Sequence, residues 1–299
     1  MDYQEFINCL LAGLQDIYGT DAIITIKKVL KNNGQYYDGL QIVLNAEESG
    51  VPIINMDEIY EEYGKDCMKI KDSIEKICEL RDNYACVEDV LQFANSLKNW
   101  KTVKKNVYPI LLSTEWNREF LNMLVSTPLL DLSIAYIIRG DDGKCVKINR
   151  TMLKSYGISR QTLHELAIEN MQKDGYRFEA MENLLNDMLQ ETDLGEDMLP
   201  LNEFQNRKMY VLTNTERLYG AAGILDKKLI RDFAGNRNFF ILPSSLHETI
   251  FVPDDNVVDS EEMNKMVAEI NEAIVTKEEW LSDHSYYYDF QKDEIRMCA

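Results

Sequence analysis

Two short apolar runs, Phe239 to Leu242 (FFIL) and Thr249 to Val252 (TIFV), are each closed by a proline, Pro243 and Pro253. Proline has no N–H to offer a ladder, so it marks the border of a strand rather than its middle. The runs therefore read as neighbouring extended strands, and Ser244 to Glu248 (SSLHE) between them reads as their connection. Any fold open to this chain has to contain a sheet that takes in this pair.

The flanking segments extend the sheet into a layered unit. Upstream, the spacing predicts a strand over Lys208 to Thr213 and a helix over Glu216 to Ala234, stopped by Gly235. That helix would set Leu218, Ala221, Ala222, Leu225, Leu229 and Phe233 against the sheet. Downstream, Asp259 and Glu262 form a capping pattern before a helix with the stripe Met263, Met266, Val267, Ile270, Ile274. Tyr286 to Tyr288 then begin a last hairpin, with QKDE as turn and IRMC as return, placed to join a sheet edge. The order β-α-β-β-α indicates an α+β fold of mainly antiparallel sheets with packed helices, not a doubly wound one.

The N-terminal part predicts a helix over Tyr3 to Tyr18 and a β-hairpin whose Asn33-Gly34 turn tolerates positive φ. Helical patterns follow from about Met56 to Lys98, one of them carrying Val87, Val90, Leu91, Ala94 and Leu97 on one side. VYPILLS at Val107 opens a mixed region with a second hairpin around Gly140 to Gly143 and a Ser159-capped helix bearing Leu163, Leu166, Ala167 and Met171. His164, beside that stripe, reads as a partly buried, hydrogen-bonded side chain. Glu191 to Glu203 reads as an acidic loop. The expected domains are 1–105 and 106–299.

Charge narrows the function classes. Fifty-one acids against 32 bases give a net charge of -19, which repels phosphate backbones and disfavours direct nucleic-acid binding. From Asp254 to Ala299 there are thirteen acids and four bases. This stretch reads either as a solvated acidic face or as a surface that meets a basic partner or imitates nucleic acid. Lys98, Lys101, Lys104 and Lys105 around Trp100 form one basic cluster, read as an exposed connection. No eighteen-residue apolar run occurs, and acids stand where a signal peptide carries bases, so the expectation is a cytoplasmic protein without membrane contact. Six scattered cysteines without a C-x-x-C pair imply reduced thiols and no zinc site, with Cys9 and Cys78 as small core residues. GAAGILDKK lacks the G-K-[ST] ending of a phosphate loop, and no cofactor is expected.

Candidate chemistry gathers in the connection SSLHE. Ser244 or Ser245 beside His247, with Glu248 or a remote acid such as Asp283, is the residue set of a hydrolase. No G-x-S-x-G elbow accompanies it, and the same residues also suit a plain turn or a ligand-binding rim. Asp283-His284 lacks the H-x-x-x-H or H-x-H spacing of a metal set. The binding candidates are His247, Glu248, His284, Tyr286 and Tyr288.

With LAIENMQKDGYRFEAMENLL, MYVLTNTERLYGAAGILDKKLI, FFILPSSLHETIFVPDD and LSDHSYYYDF in view, the chain resembles an uncharacterised bacterial family, domain of unknown function 5688. That resemblance carries no activity, cofactor or catalytic residue. In more distant outline VYPILLS, the central hairpin, the helix near Ala167 and the β-α-β-β end look like another uncharacterised bacterial family, which implies a shared α+β core and nothing chemical. The functional expectation is a non-enzymatic protein-binding or regulatory module whose acidic C-terminal surface meets a basic partner. The alternatives are a serine/histidine hydrolase using Ser245 and His247, and an acidic nucleic-acid mimic.

Overall fold

The computed structural model describes residues 1–45, 51–65, 69–83, 87–140, 143–184, 208–243, 245–255 and 259–298. The expected loop over Glu191 to Glu203 and the turn residues Asp141 and Asp142 lie outside them. The chain divides into two compact units, Met1–Lys31 with Gln35–Lys98, and Asn32–Gly34 with Asn99–Ala299.

In the first unit, Asp2 and Glu5 close a reciprocal capping box at the start of helix Tyr3–Tyr18. Its buried stripe of Phe6, Ile7, Leu10 and Leu14 meets a core with Leu40, Ile42, Ile54 and Ile77. Strands β1 (Ile23–Leu30), β2 (Tyr36–Val43) and β3 (Ile54–Asn55) form an antiparallel sheet in that order. Between β1 and β2, Asn33 and Gly34 take φ of 56° and 65°, the left-handed backbone that asparagine and glycine accept most readily. Helices Met56–Lys65, Ile70–Asn83 and Val87–Ser96 follow. Cys78 packs against the core, whereas Cys9 is exposed. At 100° per residue Cys9 lies roughly a third of a turn off the buried stripe, which corrects its expected place in the core.

Among its described residues the second unit holds two antiparallel sheets. The first is β4 (Val107–Ser113), β6 (Leu132–Arg139) and β5 (Ser126–Leu129) in that order, with β7 (Cys145–Lys147) also on β6. All eight residues of β6 are buried. Pro109 is tolerated in β4 because, among the described residues, that strand pairs on one side only. Helix Arg160–Met171, capped by Ser159, buries Leu163, Ala167 and Met171 and anchors through Asn170, whose Nδ2 donates to the carbonyls of Lys104 and Val107 at 2.9 Å each.

The other sheet runs β13 (Glu294–Met297), β12 (Tyr286–Asp289), β10 (Phe239–Leu242), β11 (Thr249–Pro253), β9 (Tyr210–Thr213), β8 (Arg177–Ala180). SSLHE is thus the connection of the hairpin β10–β11. Asp254 N–H donates to the Asn238 carbonyl at 3.0 Å, and bonded pairs alternate from there, so Pro253 falls opposite Phe239 where no N–H is needed. One face packs Phe240, Leu242, Ile250 and Val252 under Met263, Met266, Val267 and Ile270 of helix Ser260–Ala273. On the other, Phe233 stacks on Phe178 at 3.6 Å between centroids and meets Phe239 and Phe251.

The single helix expected over Glu216 to Ala234 is a 3-10 turn, Gly220–Leu225, followed by a separate helix Lys227–Ala234. Asp226 divides them, its carboxylate accepting from the N–H groups of Lys228 and Leu229 as a fresh N-cap. Arg217 and Tyr219, just before, have positive φ of 52° and 54°, which no continuous helix allows.

Candidate functional site

Ser244 lies outside the described residues. Ser245 is buried, bridges Trp280 through its backbone, and uses its hydroxyl to accept the His247 backbone N–H at 3.0 Å. The His247 ring turns elsewhere. Its Nδ1 accepts the Tyr219 N–H at 3.2 Å, which assigns the ring proton to Nε2, and Nε2 faces Glu279 Oε1 at 3.4 Å. The carboxylate at His247 is thus Glu279, a residue the sequence did not single out, while Asp283 serves His284. Glu248 follows in the chain, and burial pushes its carboxyl up against the pull of Arg217 and His247. With both nitrogens engaged, the imidazole ties the strained turn at Tyr219 to the β10–β11 connection.

His284 occupies a second polar cluster. Its Nδ1 is 2.9 Å from Asp283 Oδ1 and 3.2 Å from Ser282 Oγ, and its Nε2 is 3.5 Å from Asp131 Oδ2, an ion-pair distance rather than a short hydrogen bond. The buried Tyr286 hydroxyl donates to Asp131 Oδ1 at 2.6 Å. Burial and then that bond push the Tyr286 hydroxyl up. Burial also acts to raise Asp131, but the nearby His284 imidazole and the hydrogen bond from Tyr286 outweigh it and hold the carboxyl low. Asp131, working against burial, raises the His284 imidazole, and Asp283 adds to the effect.

These directions set a pH window. A raised histidine contributes stability that is complete below its unfolded value of about 6.5 and lost as pH rises through the folded value. A lowered aspartate contributes stability that is complete above about 3.8 and lost on acidification. The cluster is therefore strongest between roughly pH 4 and 6.5. His284→Gln is expected to cost about 1 kcal/mol at pH 5.5 and to flatten the decline of stability between about pH 6 and 8. Urea unfolding at the two ends of that range checks this, and parallel pH profiles for the two proteins would rule it out.

Tyr288 lines a cleft of about 660 Å³. It is lined from the end of β5, β6, helix Arg160–Met171, β12, β13 and the segment Ile224–Ile230. Leu129, Ile134, Ile168, Ile224, Ile230 and Ile295 make its walls apolar. Eight polar residues also line it, among them His164, Tyr288 and three acids, Asp226, Asp293 and Glu294, against two bases, Lys227 and Lys228. His164 bonds through Nδ1 to the Tyr136 hydroxyl at 3.1 Å, which itself pairs with Thr127 Oγ1 at 2.8 Å. The Tyr288 hydroxyl donates to Asp293 Oδ1 at 2.9 Å, and Arg231 also pairs with Asp293. Burial, then Asp293, pushes that hydroxyl up to about 12. A concave site with apolar walls and convergent polar groups has the make-up of a binding pocket. His164 is partly buried and hydrogen-bonded as its place beside the stripe implies, and it also faces this cleft.

Among the described residues no group of three His, Cys, Asp or Glu side chains is placed to hold a metal ion. No helix among them is long and apolar enough to cross a membrane. The model of a family of unknown function, DUF5688, matches residues 3–290. No curated protein and no solved structure matches the chain.

Proposed function

Because the chain belongs to that family of unknown function, we propose from its own surface that it is a protein-binding module which takes an apolar side chain of a basic partner into the Ile168–Tyr288 cleft. The cleft carries the reading: it has a volume of about 660 Å³, and seven of its fifteen lining residues are isoleucine or leucine, which suits an apolar anchor. The charge supplies the partner's sign. Thirteen acids against four bases over Asp254 to Ala299, within a net charge of -19, favour a positively charged segment and speed its encounter. Less supports acyl transfer by Ser245: the His247 ring nitrogens face Tyr219 N–H and Glu279, and the Ser245 hydroxyl accepts the His247 backbone N–H instead.

Fluorescence polarisation with labelled synthetic peptides tests this, using one Leu or Phe flanked by Lys and Arg against the same residue flanked by Glu. The lysine-flanked peptides are expected to bind, and more weakly at 0.5 M salt on the order of the screening expected for surface charge. Ile168→Glu puts a carboxylate at a half-buried wall position and should weaken binding about tenfold or more, the equivalent of losing about 1.5 kcal/mol of apolar burial. No binding by any peptide, or binding indifferent to Ile168→Glu, would overturn the reading.

A further inference from the structure

Strand β13 ends its sheet, with β12 on one side and no further strand beyond it among the described residues. Cys298 N–H donates to the Ser285 carbonyl at 3.1 Å. Bonded and unbonded pairs alternate in an antiparallel ladder, so Arg296 and Glu294 bond across to Tyr287 and Asp289. Ile295 and Met297 consequently direct their N–H and C=O groups outward. Their side chains share one face of the sheet. Ile295 is part of the cleft wall, and Met297 is 41% exposed.

An open row of main-chain donors and acceptors bordering an apolar pocket combines the two elements of strand-addition recognition. The backbone edge supplies hydrogen bonds, and the pocket reads alternate side chains. Exposed edges are commonly blunted by charge directed across them. Here the Arg296 guanidinium instead lies 4.7 Å above the Tyr287 ring, folded onto the strand's own neighbour.

Resting on the reading of the cleft as a protein-binding site, we propose that β13 is a docking edge. An extended, positively charged segment of the partner pairs with Ile295 and Met297 as an added strand and sends every second side chain toward the cleft. The acidic surplus of Asp254 to Ala299 selects the positive segment over a neutral or acidic one.

The experiment uses the full chain and a lysine-flanked peptide that binds it, resynthesised with a single backbone N-methyl group at each position in turn. N-methylation at alternate residues is expected to weaken binding tenfold or more, with little change between them. Met297→Pro removes an outward N–H that the sheet does not use, so it should leave the melting curve unchanged and weaken the peptide by a similar factor. Uniform tolerance of N-methylation would overturn strand addition while leaving the cleft reading intact. Failure of the unmodified peptide to bind would instead remove the cleft reading, and the docking edge with it.

Discussion

Asp174→Ala is expected to destabilise the second unit by about 3–5 kcal/mol, the usual cost of leaving a buried charge without its partner. Arg139 ends the fully buried strand β6, with its own side chain only 9% exposed. Its Nη1 donates to Asp174 Oδ2 at 2.7 Å, and its guanidinium stacks 3.9 Å from the Tyr108 ring centroid. The next carboxylate, Glu216, is 3.9 Å away and mostly exposed, too screened to replace Asp174. Burial pushes the Asp174 carboxyl up by more than Arg139 pulls it down. The attraction of Arg139 thus does not repay the burial of the Asp174 carboxylate, although removing one member of the pair is costly. The double replacement Arg139→Met with Asp174→Leu should therefore recover most of the loss, since it leaves no buried charge.

Trp100, Trp116 and Trp280 all belong to the second unit, so tryptophan fluorescence during urea unfolding reports on it selectively. A loss below about 1 kcal/mol for Asp174→Ala would mean that the guanidinium reaches water when its partner goes.

Gly220→Ala is the second large effect, at about 3 kcal/mol. A Cβ built there would stand 2.4 Å from the His247 carbonyl oxygen, 2.8 Å from Thr213 Oγ1 and 3.0 Å from the Asn214 nitrogen. Two of these are backbone atoms, which cannot rotate aside as a flexible side chain can. Relief requires the 3-10 turn to move off the β10–β11 connection, which also separates Tyr219 N–H from His247 Nδ1. The expected signature is a lower urea midpoint together with faster hydrogen exchange of the Tyr219 amide. Wild-type exchange at that amide in the variant would show that the turn holds its place and that the clash is absorbed elsewhere.

Much of the fold was legible because its signals are local. Pro243 and Pro253 bound their strands through a missing N–H, and Asn33-Gly34 marks a turn through its tolerance of positive φ. Asp259 announces a helix by accepting the Glu262 N–H three residues on. The break at Asp226 was not legible, because Leu218, Ala221, Ala222, Leu225 and Leu229 keep helical spacing straight through it. The turn before it is held instead by bonds to the β10–β11 connection, Ala221 N–H to the Leu246 carbonyl at 3.3 Å and Tyr219 N–H to His247 Nδ1, contacts between segments that only packing brings together.

The candidate site divides along the same line. Composition by itself determined the acidic surplus, and residue type determined that His247, His284 and Tyr288 carry polar atoms on amphipathic side chains. Which atoms those groups meet was decided by the tertiary structure: Glu279 for one imidazole, Asp131 for the other, and the isoleucine-walled cleft with His164 for Tyr288. Turn and strand preferences act within a few residues of backbone, so sequence determines them. The occupation of a ring nitrogen, the burial of a carboxyl and the opening of a cleft depend on distant segments packed against one another, and only the folded chain decides them.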